Sequence, residues 1–121
     1  VVRQVARRLR TRSLVHICPR VDWEAACQQG EYRAKSLENE GFIHCSTPQQ
    51  ALATANRYFK GATDLVILWI APRRLRADLR WDAAEDNLFP HIYGPLNLDA
   101  VLSAEDFFAD ADGTYRTLRL D

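Results

Sequence analysis

The chain contains three histidines, His16, His44 and His91, and each sits within a short run of strand-forming residues. Histidine is the side chain that most readily gives and takes protons near neutral pH. His16 is flanked by Val15 and Ile17, His44 by Ile43 and Cys45, and His91 by Pro90 and Ile92. Neighbours along a strand point to opposite faces. Each imidazole is therefore expected on the face opposite its aliphatic neighbours, and three such strands side by side line one cleft. The ordinary alternative for any one of them is a half-buried histidine bonded to backbone. Around these three, Ser46 and Thr47 follow His44 at the expected start of a helix, where free N–H groups and the helix dipole favour an anion such as phosphate. Tyr93 shares a face with His91 and offers a ring and a hydroxyl. Arg33 and Tyr58 are weaker second candidates for ligand contact, since exposed arginines and core-edge tyrosines are common.

Rival chemistries find less in the sequence. Three histidines and Cys45 are zinc-type donors, but no H-x-H, H-x-x-x-H or C-x-x-C spacing occurs, so no metal is expected. Asp82 and Glu85 are carboxylates that read most simply as part of an acidic solvated loop. No G-x-G-x-x-G, P-loop or G-x-S-x-G motif is present. A cysteine nucleophile at Cys45 would need an electropositive surround that its neighbours do not supply.

The elements that position these residues follow from pattern. Leu14–Cys18 reads as a strand stopped by Pro19, followed by a helix over Trp23–Gln29 capped by Asp22 and closed by Gly30. The segment from Glu31 to Gly41 is polar and predicted as loop, and Gly41–Cys45 as a second strand. Thr47, Pro48 and Gln50 form a capping box with proline at the first helical position, predicting a helix from Pro48 to about Lys60 with Ala51, Leu52, Ala55 and Phe59 as its apolar face. Leu65–Ile70 is the most apolar run and reads as a central buried strand. Arg73–Arg80 is predicted as a turn and an edge strand, Asp82–Asn87 as a loop, and Leu88–Pro95 as a strand confined by its prolines to an edge or bend. Asp99–Glu105 is predicted as a strand, and Tyr115–Leu120 as a last edge strand after the turn at Asp112-Gly113. Helices cluster early and strands outnumber them, which indicates an α+β fold.

Composition sets the bounds. A length of 121 residues with 47% hydrophobic residues fits one domain with an adequate core. Residues 14–121 are taken as that domain, and the arginine-rich residues 1–13 as a solvated basic tail that does not read as a signal peptide. Sixteen basic residues balance sixteen acidic ones, so no net charge draws the chain to nucleic acid or anionic lipid, although an RNA end is not excluded as a ligand. Cys18, Cys27 and Cys45 are odd in number and lack C-x-x-C spacing, so reduced, cytoplasmic conditions are expected. No apolar run is long enough to span a membrane.

Two longer motifs carry a resemblance. Gly41-Phe42-Ile43-His44-Cys45-Ser46-Thr47 and Phe89-Pro90-His91-Ile92-Tyr93-Gly94-Pro95-Leu96 resemble the signatures of the bacterial domain of unknown function 952 family. Leu14-Val15-His16-Ile17, Trp23-Glu24-Ala25-Ala26 and Gly30-Glu31-Tyr32-Arg33 resemble its opening, so the likeness runs from about Leu14 to Leu120. This resemblance implies a split, mostly antiparallel sheet of the ADP-ribosyltransferase type, with a cleft that holds NAD in the true transferases, and relatedness to RNA 2′-phosphotransferases. It implies that His16 holds ribose, that Ser46 and Thr47 hold phosphate, and that His44 and His91 are the catalytic candidates, with Tyr93 stacking on a ring. The third motif of such transferases supplies a catalytic glutamate, where this chain has His91 and Tyr93. Two readings follow: a transferase-like enzyme using NAD, or a non-catalytic module that kept the cleft to sense a nucleotide or another small molecule. A third, independent of the resemblance, is an interaction domain in which the histidines are structural.

Overall fold

Six consecutive apolar residues require cover on both faces, and Leu65–Ile70 has it. In the computed structural model, which describes residues 12–118, this strand is β4. It lies between β1 (Leu14–Pro19) and β8 (Val101–Phe107) in a sheet ordered β1-β4-β8. A second three-stranded sheet is ordered β3-β6-β5, from Ile43–His44, Asn87–Tyr93 and Asp78–Ala84. A two-stranded piece joins β2 (Glu31–Tyr32) to β7 (Leu96–Asn97). Every strand pairing among the described residues is antiparallel. Among the described residues three helices, α1 (Arg20–Gln29), α2 (Lys35–Glu40) and α3 (Pro48–Tyr58), complete an α+β fold.

The two larger sheets meet where Val15 and Ser46 exchange backbone hydrogen bonds of 2.8 and 2.9 Å. From this junction they diverge around one core, which includes Leu14, Cys18, Val66, Leu68 and Ile70 from the first sheet, Ile43 and Ile92 from the second, and Cys45 just after β3. The far side of the first sheet packs Val15, Ile17, Leu65, Ile67 and Trp69 against Ala51 and Ala55 of α3 and against Phe107 and Tyr115. The first sheet is thus buried on both faces and the second on one. At about 25 cal/mol per Å² of apolar surface, each fully buried Leu or Ile contributes about 2 kcal/mol.

Several predicted elements differ in extent. Helix α1 begins at Arg20 rather than Trp23, because Pro19 (φ −60°, ψ 143°) already provides the extended residue at its start; Asp22 lies in the first turn and does not cap. The polar segment predicted as loop carries β2 and α2, stabilised by tertiary packing rather than by propensity: Tyr32 is buried and Leu37 packs on the core. Helix α3 stops at Tyr58, short of Lys60, with the predicted capping box in place.

The largest correction concerns residues 78–93. The stretch predicted as an acidic loop is the end of β5, a turn and the start of β6, with Glu85 and Asp86 both at positive φ (53° and 63°) as a tight two-residue hairpin requires. Strand β6 is central, not an edge, despite Pro90. The Pro90 carbonyl accepts from Cys45 N at 3.1 Å, so the proline nitrogen faces the same side, just past the end of β3 at His44; the missing donor costs one reciprocal bond at the end of that ladder and leaves the pairing with β5 intact. Leu98–Ala100 is a 3-10 turn, so the strand predicted from Asp99 starts at Val101. Residues 114–118 form no strand: the Asn56 side chain takes up both the N–H and the carbonyl of Tyr115 (2.7 and 2.8 Å). Residues 1–11 and 119–121, including most of the basic tail and the end of the predicted last strand, lie outside the described residues.

Candidate functional site

One face of the β3-β6-β5 sheet is core, and alternation puts the candidate residues on the other. Register pairs His44 with His91 and Arg80 with His91, so β3, β6 and β5 bring the two histidines and Arg80 abreast. The same face carries Phe89 and Tyr93 from β6 and Asp82 from β5. The His44 and His91 rings meet edge to face, with centroids 5.0 Å apart. Phe42 lies against His91 (4.2 Å, 18° between planes), and Tyr93 packs on Phe42 at 5.2 Å.

Each of these two histidines is held by a carboxylate. Asp82 Oδ2 lies 2.8 Å from His91 Nδ1, and the Tyr93 hydroxyl donates to the same oxygen at 2.5 Å. The Tyr93 hydroxyl first, then the His91 ring, holds the Asp82 carboxyl below the usual carboxylate range. An ionised Asp82 only accepts, so His91 Nδ1 carries the proton, and Nε2 has no hydrogen-bond partner among the described residues. Donating to that carboxylate also raises the Tyr93 phenol, which remains a donor at neutral pH. Glu40 Oε2 stands 2.7 Å from Nε2 of the exposed His44, leaving its Nδ1 without a protein partner among the described residues.

His16 is built differently. Its Nδ1 is 2.5 Å from the carbonyl of His44, which can only accept, so Nδ1 donates and Nε2 must accept. The Tyr32 hydroxyl supplies that donor at 2.7 Å. Burial lowers His16 to about 4, and burial pushes the Cys18 thiol up to about 12. His16 is therefore a neutral imidazole with both nitrogens satisfied inside the protein, tying β1 to β3 and β2.

The remaining predicted residues divide. Ser46 is buried: its backbone bonds Val15 and its hydroxyl stands 3.1 Å from that of Thr54. Thr47 closes the capping box, accepting from Gln50 N at 3.2 Å while Gln50 Oε1 accepts from Thr47 N at 3.0 Å. With Pro48 lacking an N–H, the first turn of α3 has few amides left for an anion. Arg33 lies apart, paired with Glu31 at 3.0 Å. Tyr58 is exposed and donates to Glu85 at 2.9 Å, beside the Arg57–Glu85 ion pair.

A groove of about 1040 Å³ runs along this region, lined among others by His16, His44, His91, Gln49, Tyr58 and Phe89. Tyr93 lies outside its lining and borders a smaller hollow with Arg76 and Asn97. No cluster of three or more metal-type donors occurs among the described residues, and no helix among them is long and apolar enough to cross a membrane. Sequence reasoning set Asp82 aside as part of a solvated loop and missed Glu40 and Phe42 as site residues. Asp82 was legible only with the tight turn at Glu85-Asp86, which fixes Asp82 opposite Phe89 and diagonal to His91. Glu40 reaches His44 only because α2 exists.

The family model described as "Protein of unknown function (DUF952)" matches residues 17–104, which span β1 to β8 and both histidine motifs of the outer sheet. The chain belongs to this family. A crystal structure of protein CC0527 from Caulobacter crescentus is similar at 36% identity and a TM-score of 0.80, covering 86% of this chain and 93% of that one. A second crystal structure, of a double mutant of CC0527, gives 35% identity and 0.79, over 86% and 93% of the two chains. The solution NMR structure of CC0527 gives 36% and 0.74, over 86% and 91%. No curated protein is significantly similar to the chain.

Proposed function

We propose that the groove binds a nucleotide of the NAD or ADP-ribose type on a scaffold of the ADP-ribosyltransferase kind, with His91 as its proton-transferring group. The observation that carries this reading is the Asp82–His91 pair: the carboxylate fixes the tautomer and the ring, and the unpartnered Nε2 belongs to a residue lining the groove. A base or acid so positioned contributes about 10²- to 10⁴-fold to a reaction. The rings of Phe89 and Tyr58 offer stacking surfaces, and Gln49 and Asn87 offer hydrogen bonds. Glu40 and Glu85, from α2 and the hairpin turn, also line the groove and supply negative charge for an oxocarbenium-like state in place of the glutamate that the third motif lacks. His16 serves this reading as the joint behind His44, not as a ribose contact. The free thiols Cys18, Cys27 and Cys45 fit a reducing, cytoplasmic setting.

A second reading is favoured by Ser46 and Thr47. Their hydroxyls are engaged within the protein, so the phosphate cradle is weak, as in a module that senses a nucleotide without turning it over. Chemical-shift mapping with NAD, ADP-ribose and nicotinamide tests both. Shifts on His91, Phe89 and Tyr58 that vanish in His91→Ala support the groove, and conversion of NAD separates enzyme from sensor. Absence of shifts at millimolar ligand sinks the nucleotide reading.

A further inference from the structure

The outer sheet holds more than one proton-transferring group. We propose that His44 and His91 form a general acid–general base pair that opens nucleoside 2′,3′-cyclic phosphates by hydrolysis. The proposal rests on the groove binding a nucleotide and adds a reaction to it.

Three observations lead there. The two imidazoles are cross-strand partners with centroids 5.0 Å apart, so both can reach one phosphoryl group. Each has one nitrogen anchored by a carboxylate, His44 Nε2 by Glu40 and His91 Nδ1 by Asp82, and each has its other nitrogen without a protein partner among the described residues. A pair restrained in this way differs from two histidines that share a surface by chance, because the anchor selects which nitrogen works. Third, Arg80 stands opposite His91 in register, its guanidinium 4.5 Å over the Tyr93 ring and 3.7 Å from Asp78, and keeps a positive charge on the histidine face.

The charge balance chooses the substrate class. Glu40 and Asp82 flank the histidines, and these carboxylates oppose a phosphate dianion more strongly than a monoanion. A cyclic phosphodiester is a monoanion, and a terminal phosphomonoester is largely a dianion at neutral pH. In the reaction, water attacks phosphorus. Nε2 of His91 takes the water proton as the new O–P bond forms. The ring P–O bond to the ribose breaks, and protonated His44 gives its Nδ1 proton to the departing ribose oxygen. The product is a 2′- or 3′-monophosphate, and the two proton states are restored by exchange with solvent. Water is the sole co-reactant.

Because one histidine must be neutral and the other protonated, the rate should follow a bell-shaped pH profile. The charged or titratable groups facing the pair are His16 from β1, Glu40 from α2, Asp82 and Arg80 from β5, and Tyr93 from β6, with Asp78 paired to Arg80. Glu85 and Arg57 stand further along the groove.

The test is ³¹P NMR of the full chain with each of the four nucleoside 2′,3′-cyclic phosphates. The cyclic resonance should give way to a monoester resonance, with a bell-shaped pH dependence and a loss of about 100-fold or more in both His44→Gln and His91→Ala. His44 is exposed, so its variant keeps the fold if His91→Ala does not. Turnover that survives His44→Gln, or a rate that rises or falls with pH in one limb only, overturns the pair. No turnover while NAD or ADP-ribose still shifts the groove resonances overturns this proposal and leaves the nucleotide reading standing. Neither turnover nor shifts removes both.

Discussion

The two main sheets place the same residue type in like sequence settings and give it opposite fates. His16 and His91 each follow and precede residues that are buried, and both side chains are largely shielded from solvent. In the inner sheet, covered on both faces, an imidazole has no water to bond, so both nitrogens must find protein partners, and His44 O and Tyr32 provide them. In the outer sheet, covered on one face, His91 needs only one internal partner, and its other nitrogen has none among the described residues. What separates a histidine bonded at both nitrogens from one bonded at a single nitrogen here is the number of covered faces of its sheet, not its neighbours along the chain.

The sharpest way to break that comparison is to remove His16. His16→Ala orphans the Tyr32 hydroxyl and the His44 carbonyl in the interior and should cost about 3 kcal/mol or more in urea unfolding. His91→Ala should cost about 1 kcal/mol while abolishing groove chemistry; equal stability losses would erase the distinction. Next comes pH. His16 titrates near 6.5 when unfolded and about 4 when folded, so between these values the unfolded state binds the extra proton. Stability should therefore be full above about pH 6.5 and fall on acidification toward pH 4 by roughly 3 kcal/mol, at about 1.36 kcal/mol per pH unit. Unfolding midpoints at pH 7 and pH 4.5 measure it, and His16→Gln should flatten the dependence whatever its own stability. Thr47→Ala should lose about 1 kcal/mol through the capping box, by the same denaturation measurement. The smallest effects belong to the exposed pairs: Arg33→Ala should change stability by less than about 0.5 kcal/mol and leave groove binding unaltered. A loss of ligand shifts in that variant would restore Arg33 as a site residue.

Much of this was legible in the chain. The run Leu65–Ile70, the Thr47–Gln50 box and the alternation around each histidine all act locally, and local rules fixed β4, the start of α3 and the direction of the imidazoles. What the sequence hid depends on distance. Nothing near His16 reports that Tyr32 and the His44 carbonyl close over it, and Ser46 looked available because its partner Thr54 lies well inside α3. Asp82 was obscured by a hairpin turn made from Glu85-Asp86, residues without the glycine that usually marks positive φ. Pro90 suggested an edge because a sequence does not say on which side its missing donor falls.

The hydrogen bonds running from Tyr32 through His16 to the His44 carbonyl also make a built-in spectroscopic clock. The His16 Nδ1 proton is enclosed where the two sheets join and is handed to an acceptor that cannot return it. Such a proton exchanges with water only when the sheets part, so its downfield resonance, and the rate at which deuterium erases it, times the opening of the junction directly behind His44.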